Sequence, residues 1–253
     1  MKADNYIIPM SMVEAIDLVK LGGKVLGGGA FSVMSKAKVD TIVDISNLNL
    51  SYINEVEDGV EIGSMTTLRD IQLSSILNDR YDGVFNKCIS EILGIQLRNI
   101  ATIGGSICGK YGFSDIITVL LPLNPVLKFY NYGEISLNDY LDKSVKGDIL
   151  EKIILTGKCR SSFKSIKKAK GDFAILNCSI GRKDNTLNIA IGARPGVSKM
   201  FSINIDGINN EDIINNCIRE SYIIELGTNR EATKEYRECL RKVLINRCVV
   251  EVL

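Results

Sequence analysis

Apolar residues recur along this chain at two spacings, and the change between them divides it. After Pro9, residues Met12, Val13, Ile16 and Val19 return at helical spacing and predict a short amphipathic helix, with Ser11 and Glu14 as a capping box and Gly22-Gly23 as a stop. The runs "KVL" at 24–26 and "TIVDIS" at 41–46 have the texture of buried strands and lie on either side of the glycine turn "GGGAFS". In "YINEVEDGVEIGSM" two alternating stretches meet at Asp58-Gly59, a hairpin signal. Thr67 and Asp70 open a helix expected to run to about Leu77, and residues 84–95 read as another. The run "ATI" at 101–103 reads as the end of a strand before Gly104-Gly105, and a mostly apolar segment extends from Ile116 to Tyr130.

From about residue 150 the period shortens. "EKIILTG", "FAILNCSIGR" and "TLNIAIGAR" alternate as antiparallel strands do, the last two joined by "KDN". The remainder, "EDIINNCIRESYI" and "REATKEYRECLRKVLINRCVVEVL", turns helical, with Leu240, Leu244 and Val243 or Cys239 on one stripe. A mixed first part followed by a strand-rich, helix-ended unit predicts an α+β protein with a smaller C-terminal domain.

Composition removes whole classes of chemistry. The chain has 253 residues and no histidine, which excludes Ser-His and Cys-His nucleophiles, the H-E-x-x-H zinc site and the usual general base. Seven scattered cysteines include no C-x-x-C pair, so neither a zinc site nor an iron–sulfur cluster is expected, and no metal ligands are assigned. A net charge of +1, from 31 basic and 30 acidic residues, offers no global attraction to nucleic acid or anionic membranes. The start, "MKADNYIIPM", lacks a signal-peptide apolar region, and "IITVLLPLNPVL" is too short and Pro-broken to span a bilayer, so a cytoplasmic protein is expected. Chemistry here has to come from a cofactor or be absent, and no catalytic side chain is assigned.

Two glycine loops are the candidates for holding one. "VLGGGAFS" offers Gly27 and Gly29 as the first glycines of G-x-G-x-x-G, with Asp44 at nearly the dinucleotide-fold distance, but Ser32 occupies the third position and no packing helix follows. Taken together with "TIGGS" at 102–106, the loop suggests a different arrangement. Two short loops exposing consecutive backbone N–H groups without Cβ obstruction are suited to surrounding a pyrophosphate. On this reading valine at Gly104 or Gly105 blocks the cofactor and spares the fold.

Four regions extend the pattern: "LGGGAFSVMSKAK" at 26–38, "IGSMTTLRDI" at 62–71, "QLRNIATIGGSICGKYGFSD" at 96–115, and the C-terminal pair "FKSIKKAKGDFAIL" at 163–176 with "EYRECLRKVLINR" at 235–247. In this order they resemble the FAD-binding medium subunit of molybdenum hydroxylases, the family of xanthine and carbon monoxide dehydrogenases. The resemblance covers nearly the whole chain, and the third block is the most specific. It implies a two-lobed FAD-binding domain of the PCMH, vanillyl-alcohol-oxidase-like type, with lobes at 1–56 and 57–157, followed by a small α+β C-terminal domain at 158–253 with an antiparallel sheet plus helices.

By the same resemblance, Leu26, Gly27, Gly28, Gly29, Ala30 and Phe31 form one flavin loop, and Thr102, Ile103, Gly104, Gly105 and Ser106 the other. Asp115 accepts hydrogen bonds from cofactor hydroxyls, Lys164 lies near the flavin where it stabilises negative charge on the reduced ring, and Phe163 covers one ring face or packs in the core. Gly29-Ala30 stands where the family commonly has Thr-Asp, which removes two side-chain hydrogen bonds, and "GKYG" at 109–112 replaces an Asn-Ala-Ser-Pro-like run. The implied role is electron transfer through FAD to NAD⁺ or another acceptor, beside a molybdopterin-binding large subunit and a [2Fe-2S] small subunit. Two other readings stay open: a stand-alone reductase of the UDP-N-acetylenolpyruvoylglucosamine reductase type, which carries a similar "GGGS" loop, and a flavin-free scaffold subunit.

Overall fold

In the computed structural model, which describes residues 2–34, 37–143 and 145–253, Ser11 caps a helix as its spacing requires. Its hydroxyl accepts from Glu14 N–H at 3.2 Å, and the Glu14 carboxylate reaches back to Met10 N–H at 2.8 Å. This helix, α1 (Met12–Lys20), follows strand β1 (Lys2–Ile7) and buries Ala15 and Ile16, with Met12 and Val19 beside them; Val13, expected on the inner face, is exposed. Strands β2 (Lys24–Leu26) and β3 (Lys38–Asp44) complete a parallel sheet of order β1-β3-β2. Ser35 and Lys36, within the first resemblance block, lie outside the described residues.

The hairpin is β4 (Ile53–Val56) and β5 (Gly59–Gly63), turning at Glu57-Asp58, one residue earlier than the Asp-Gly signal suggests. Gly59 belongs to the strand, paired with Val56 and Thr156, and has to be glycine because the Leu155 carbonyl oxygen would lie 2.0 Å from a Cβ there. The helix predicted after Thr67 is two: α2 (Leu68–Leu73) and α3 (Ser75–Arg80) part at Ser74, whose hydroxyl caps Leu77 N–H at 3.3 Å. Helix α4 (Val84–Ser90) ends short of the expected residue 95. Next come α5 (Ile95–Ile100) and α6 (Ile103–Cys108), so the expected strand end at "ATI" is instead the N-cap of a helix. The apolar segment resolves into α7 (Asp115–Leu120), a 3₁₀ turn and β6 (Val126–Phe129), followed by β7 (Gly133–Ser136), α8 (Leu137–Asp142) and β8 (Leu150–Thr156). The second sheet is antiparallel, in the order β4-β5-β8-β6-β7.

Four further strands, β9 (Arg160–Ile166), β10 (Leu176–Lys183), β11 (Thr186–Gly192) and β12 (Lys199–Asn204), make an antiparallel meander covered by α9 (Asn210–Glu220) and α10 (Lys234–Val252). By contacts the chain forms two units: Met1–Ile71, Gly94–Gly109 and Pro125–Thr156 make the first, and Gln72–Leu93, Lys110–Asn124 and Gly157–Leu253 the second.

In the second unit, Cys178, Ile180 and Ile189 of the sheet meet Ile213 of α9 and Leu244, Cys248 and Val252 of α10. The inner stripe of α10 begins with two arginines: Arg237 and Arg241 are buried, while Cys239 and Val243, offered by the sequence pattern, are exposed. Both guanidinium groups bind carbonyls of the segment preceding α10. Arg241 donates to Ser221 and, at 2.7 Å, to Ile224; Arg237 donates to Gly227 and Ala232 at 2.8 and 2.7 Å. None of the cysteines is joined in a disulfide, and Cys88, Cys178, Cys217 and Cys248 are buried. Burial pushes the Cys159 thiol to about 11 and that of Cys217 to about 12, so these two stay protonated and act as small apolar side chains.

Candidate functional site

Strand β2 ends at Leu26, and the next five residues form a loop closed by a 3₁₀ turn at Ser32–Met34. Among the described residues no α-helix opens directly behind the glycines, which removes the dinucleotide-fold reading. Asp44 is also committed elsewhere, accepting from the Tyr6 hydroxyl and from Ser46 N–H at 2.9 Å. The loop is half-buried and includes one left-handed residue, Gly29, at φ +74°. Gly28 is the most constrained position, since a Cβ there would fall 1.4 Å from the carbonyl oxygen of Ile100. Among the described residues, the N–H groups of Gly28, Gly29 and Ala30 have no protein partner.

The second loop differs from expectation. Its amides are not free donors: Ile103 N–H binds Thr66 O at 3.0 Å, Gly104 N–H binds Ser64 O at 2.9 Å, Gly105 N–H binds Thr102 Oγ1 at 3.1 Å, and Ser106 N–H binds Thr102 O at 3.0 Å. The first two bonds anchor α6 to the residues after β5; the other two cap and open the helix. The two glycines therefore differ. Gly104 is buried, and a Cβ there would lie only 2.6 Å from Ser64 O, so valine at this position disturbs the fold, contrary to the expectation from sequence. Gly105 is exposed, with only Thr102 Oγ1 near, at 3.0 Å.

Within the first unit the structure brings these loops together on Thr102. Its Oγ1 lies 3.0 Å from the Cβ positions of both Gly27 and Gly105. Here a cleft with about 220 Å³ of water-accessible space opens, walled by Val25, Ile45, Met65, Phe129 and Ile149, with Ser64, Cys108, Tyr140 and Asp148 as polar members. Burial pushes the Tyr140 phenol up and the neighbouring Cys108 thiol adds to that shift, so the hydroxyl stays protonated. Asp148 is occupied in tying the β6–β7 turn, accepting from the N–H groups of Asn131, Tyr132 and Ile149. The Ser64 hydroxyl, in a residue 3% exposed, has no partner among the described residues.

Asp115, Phe163 and Lys164 belong to the second unit. Asp115 is the first residue of α7 and is tied inward, to Asn177 Nδ2 at 2.5 Å and Lys167 Nζ at 3.4 Å. Burial raises its carboxyl pKa from the ordinary value, and the Lys167 ammonium and Asn177 amide oppose the shift. Thr118 extends this network to Asn177 at 3.0 Å and Ser198 at 2.7 Å. Lys164 pairs with Glu251 near the end of α10, and the Phe163 ring is buried at 2% exposure. Sequence reasoning gave no role to Ser64, Lys167 or Asn177. Ser64 and Lys167 lie inside the quoted blocks, but a serine or lysine alone gives no sign of which atoms its side chain will meet.

The glycine cradle, its unsatisfied amides and the adjoining cleft fit a nucleotide cofactor. Residues 2–157 match the family model described as the FAD binding domain in molybdopterin dehydrogenase. The glyceraldehyde dehydrogenase medium chain of Sulfolobus acidocaldarius is 24% identical over 276 residues, covering 98% of each chain. The xanthine dehydrogenase FAD-binding subunit of Escherichia coli O157:H7 is 38% identical over 135 residues, covering 50% of this chain and 46% of that one. Among solved structures, reconstituted CO dehydrogenase from Oligotropha carboxidovorans superposes with a TM-score of 0.89 at 18% identity, covering 100% of this chain and 98% of that chain. Quinoline 2-oxidoreductase from Pseudomonas putida 86 gives 0.86 at 17% identity, covering 98% and 96%.

Proposed function

Because this chain belongs to the family of the FAD binding domain in molybdopterin dehydrogenase, we propose that it is the electron-transfer subunit of a multi-subunit molybdenum hydroxylase, delivering electrons to NAD⁺ or another acceptor. It is an FAD-binding oxidoreductase subunit, and bound FAD supplies the redox chemistry that the side chains lack. The observation that carries the reading is the cradle at Gly28: a backbone packed too closely for any side chain, followed by amides without protein partners among the described residues.

The residues divide the work. Gly28, Gly29 and Ala30 would offer N–H groups to the pyrophosphate, and Thr102, Gly104 and Gly105 would form the facing wall. Leu26, Phe31, Ile103 and Ser106 complete the two loops. Asp115, Lys164 and Phe163 are proposed as further flavin-binding residues, the first two by hydrogen bonding and charge. The FAD-binding lobes are proposed to span 1–56 and 57–157, with 158–253 as the C-terminal domain. A molybdopterin-binding subunit and a [2Fe-2S] subunit complete the assembly, supported by the relation to a dehydrogenase medium chain and by the likeness to CO dehydrogenase. Among the described residues no helix is long and apolar enough to cross a membrane, and no cluster of side chains is suited to a metal.

The test uses the assembled complex carrying Gly105→Val, which places a branched side chain at an exposed position of the cleft. Substrate-driven reduction of NAD⁺ is expected to disappear, while an artificial dye that takes electrons ahead of this subunit still turns over, at equal molybdenum and iron content. Equal loss of both activities would contradict the relay role.

A further inference from the structure

We infer that Glu251 is a positioning residue for the flavin: it holds the Lys164 ammonium in an ion pair and so sets how much positive charge the bound cofactor meets when it is reduced. This rests on the FAD reading above, in which Lys164 acts on the flavin through its charge. Ser162 and Lys164 stand two residues apart on β9 and share one face of the sheet; opposite them on β10 are Ile180 and Cys178, which pack against α10. Near the end of α10, Glu251 meets both. Its Oε1 pairs with Lys164 Nζ, and its Oε2 accepts the Ser162 hydroxyl at 2.6 Å, so each carboxylate oxygen has its own partner. Burial works to raise the Glu251 pKa, but the bonds to Lys164 and Ser162, with the Lys87 ammonium of α4, hold it below the ordinary carboxylate value, and the group is ionised at neutral pH.

The backbone under Glu251 is fixed independently of its side chain. Arg160 and Arg182, directly opposite each other on β9 and β10, donate to Glu251 O and Val252 O, each at 3.2 Å, and satisfy carbonyls at the end of α10. A change confined to the carboxylate leaves this clamp in place. The side chains of Lys164 and Glu251 are 33% and 36% exposed, so the pair is open to an approaching ligand, whereas those of Lys167 and Asp115 are 9% exposed each. FAD that takes up two electrons and one proton gains a negative charge on the ring. A cation already neutralised by a carboxylate in contact with it gives that charge little help, and removing the carboxylate's charge restores the help.

The experiment measures the two-electron reduction potential of FAD in the reconstituted full chain, with dithionite as the electron source and a reference dye of known potential, for wild type, Glu251→Gln, Lys164→Met and the double variant. Glu251→Gln is expected to favour the reduced over the oxidised cofactor by about tenfold, an upward shift of about 30 mV. Lys164→Met is expected to shift the potential downward by a similar amount, and the double variant, having lost both charges, to return close to wild type. Flavin-free Glu251→Gln is expected to melt close to wild type, because a partly exposed pair contributes little to stability. A potential lowered by Lys164→Met but unmoved or lowered by Glu251→Gln overturns the inference and keeps Lys164 beside the flavin. No shift in either single variant overturns it and removes Lys164 from the site, and a wild-type chain that takes up no FAD retires the flavin reading together with the inference.

Discussion

Arg237→Ala is expected to lower the unfolding free energy by about 3–5 kcal/mol. Arg237 is fully buried and donates to four acceptors: Ile175 O at 2.8 Å, Gly227 O at 2.8 Å, Ala232 O at 2.7 Å and Asn229 Oδ1 at 2.6 Å. Truncation leaves these oxygens without that donor and opens a void that a large planar side chain had filled. Three of the four lie in the segment before α10, so one guanidinium fastens that segment to the residue leading into β10. Arg237→Lys supplies a charge but not the planar fork, and about half of the loss is expected to remain. Urea unfolding followed by circular dichroism reads both; a change below about 1 kcal/mol for the alanine variant would show that the segment is held by other contacts.

Gly28→Ala is expected to weaken FAD binding by about 10- to 100-fold, while Gly27→Ala changes it far less. At Gly28 the new methyl would overlap the Ile100 carbonyl at 1.4 Å, so the backbone of one loop has to move. At Gly27 the nearest atoms are Thr102 Oγ1 at 3.0 Å and Met65 Sδ at 3.7 Å, and small side-chain shifts make room. Overpacking of the first kind costs about 1–3 kcal/mol, and each 1.4 kcal/mol is about tenfold in affinity. Flavin fluorescence titration distinguishes the two; equal affinities for both variants would mean that the spacing between the loops does not govern binding.

These two positions also show what the sequence disclosed. The Gly27–Ala30 loop is visible because glycine runs are rare and their use is narrow, and the order of the four blocks points to FAD. What a lone sequence does not disclose is where each amide's bond goes. Gly104 and Gly105 read as a matched pair of open donors, yet one is packed on Ser64 and both N–H groups are spent within the chain.

The same limit explains where individual elements differ from the sequence pattern. β1, "KADNYI", is largely exposed and polar, so no apolar alternation announces it. The "ATI" run reads as β-branched, but Thr102 is a capping residue, and side-chain capping prevails over strand propensity. In α10 the inner stripe starts with two arginines, residues that periodicity assigns to solvent. Their burial becomes evident only once the carbonyls they bind are in place.

FAD is proposed to be held noncovalently between the two glycine loops of this chain. Purified or reconstituted with excess FAD and then desalted, the full chain is expected to retain one flavin per polypeptide, and heat or acid is expected to release it intact to the supernatant as FAD. FMN in its place, flavin that stays with the precipitated protein, or a colourless chain after reconstitution would contradict the account.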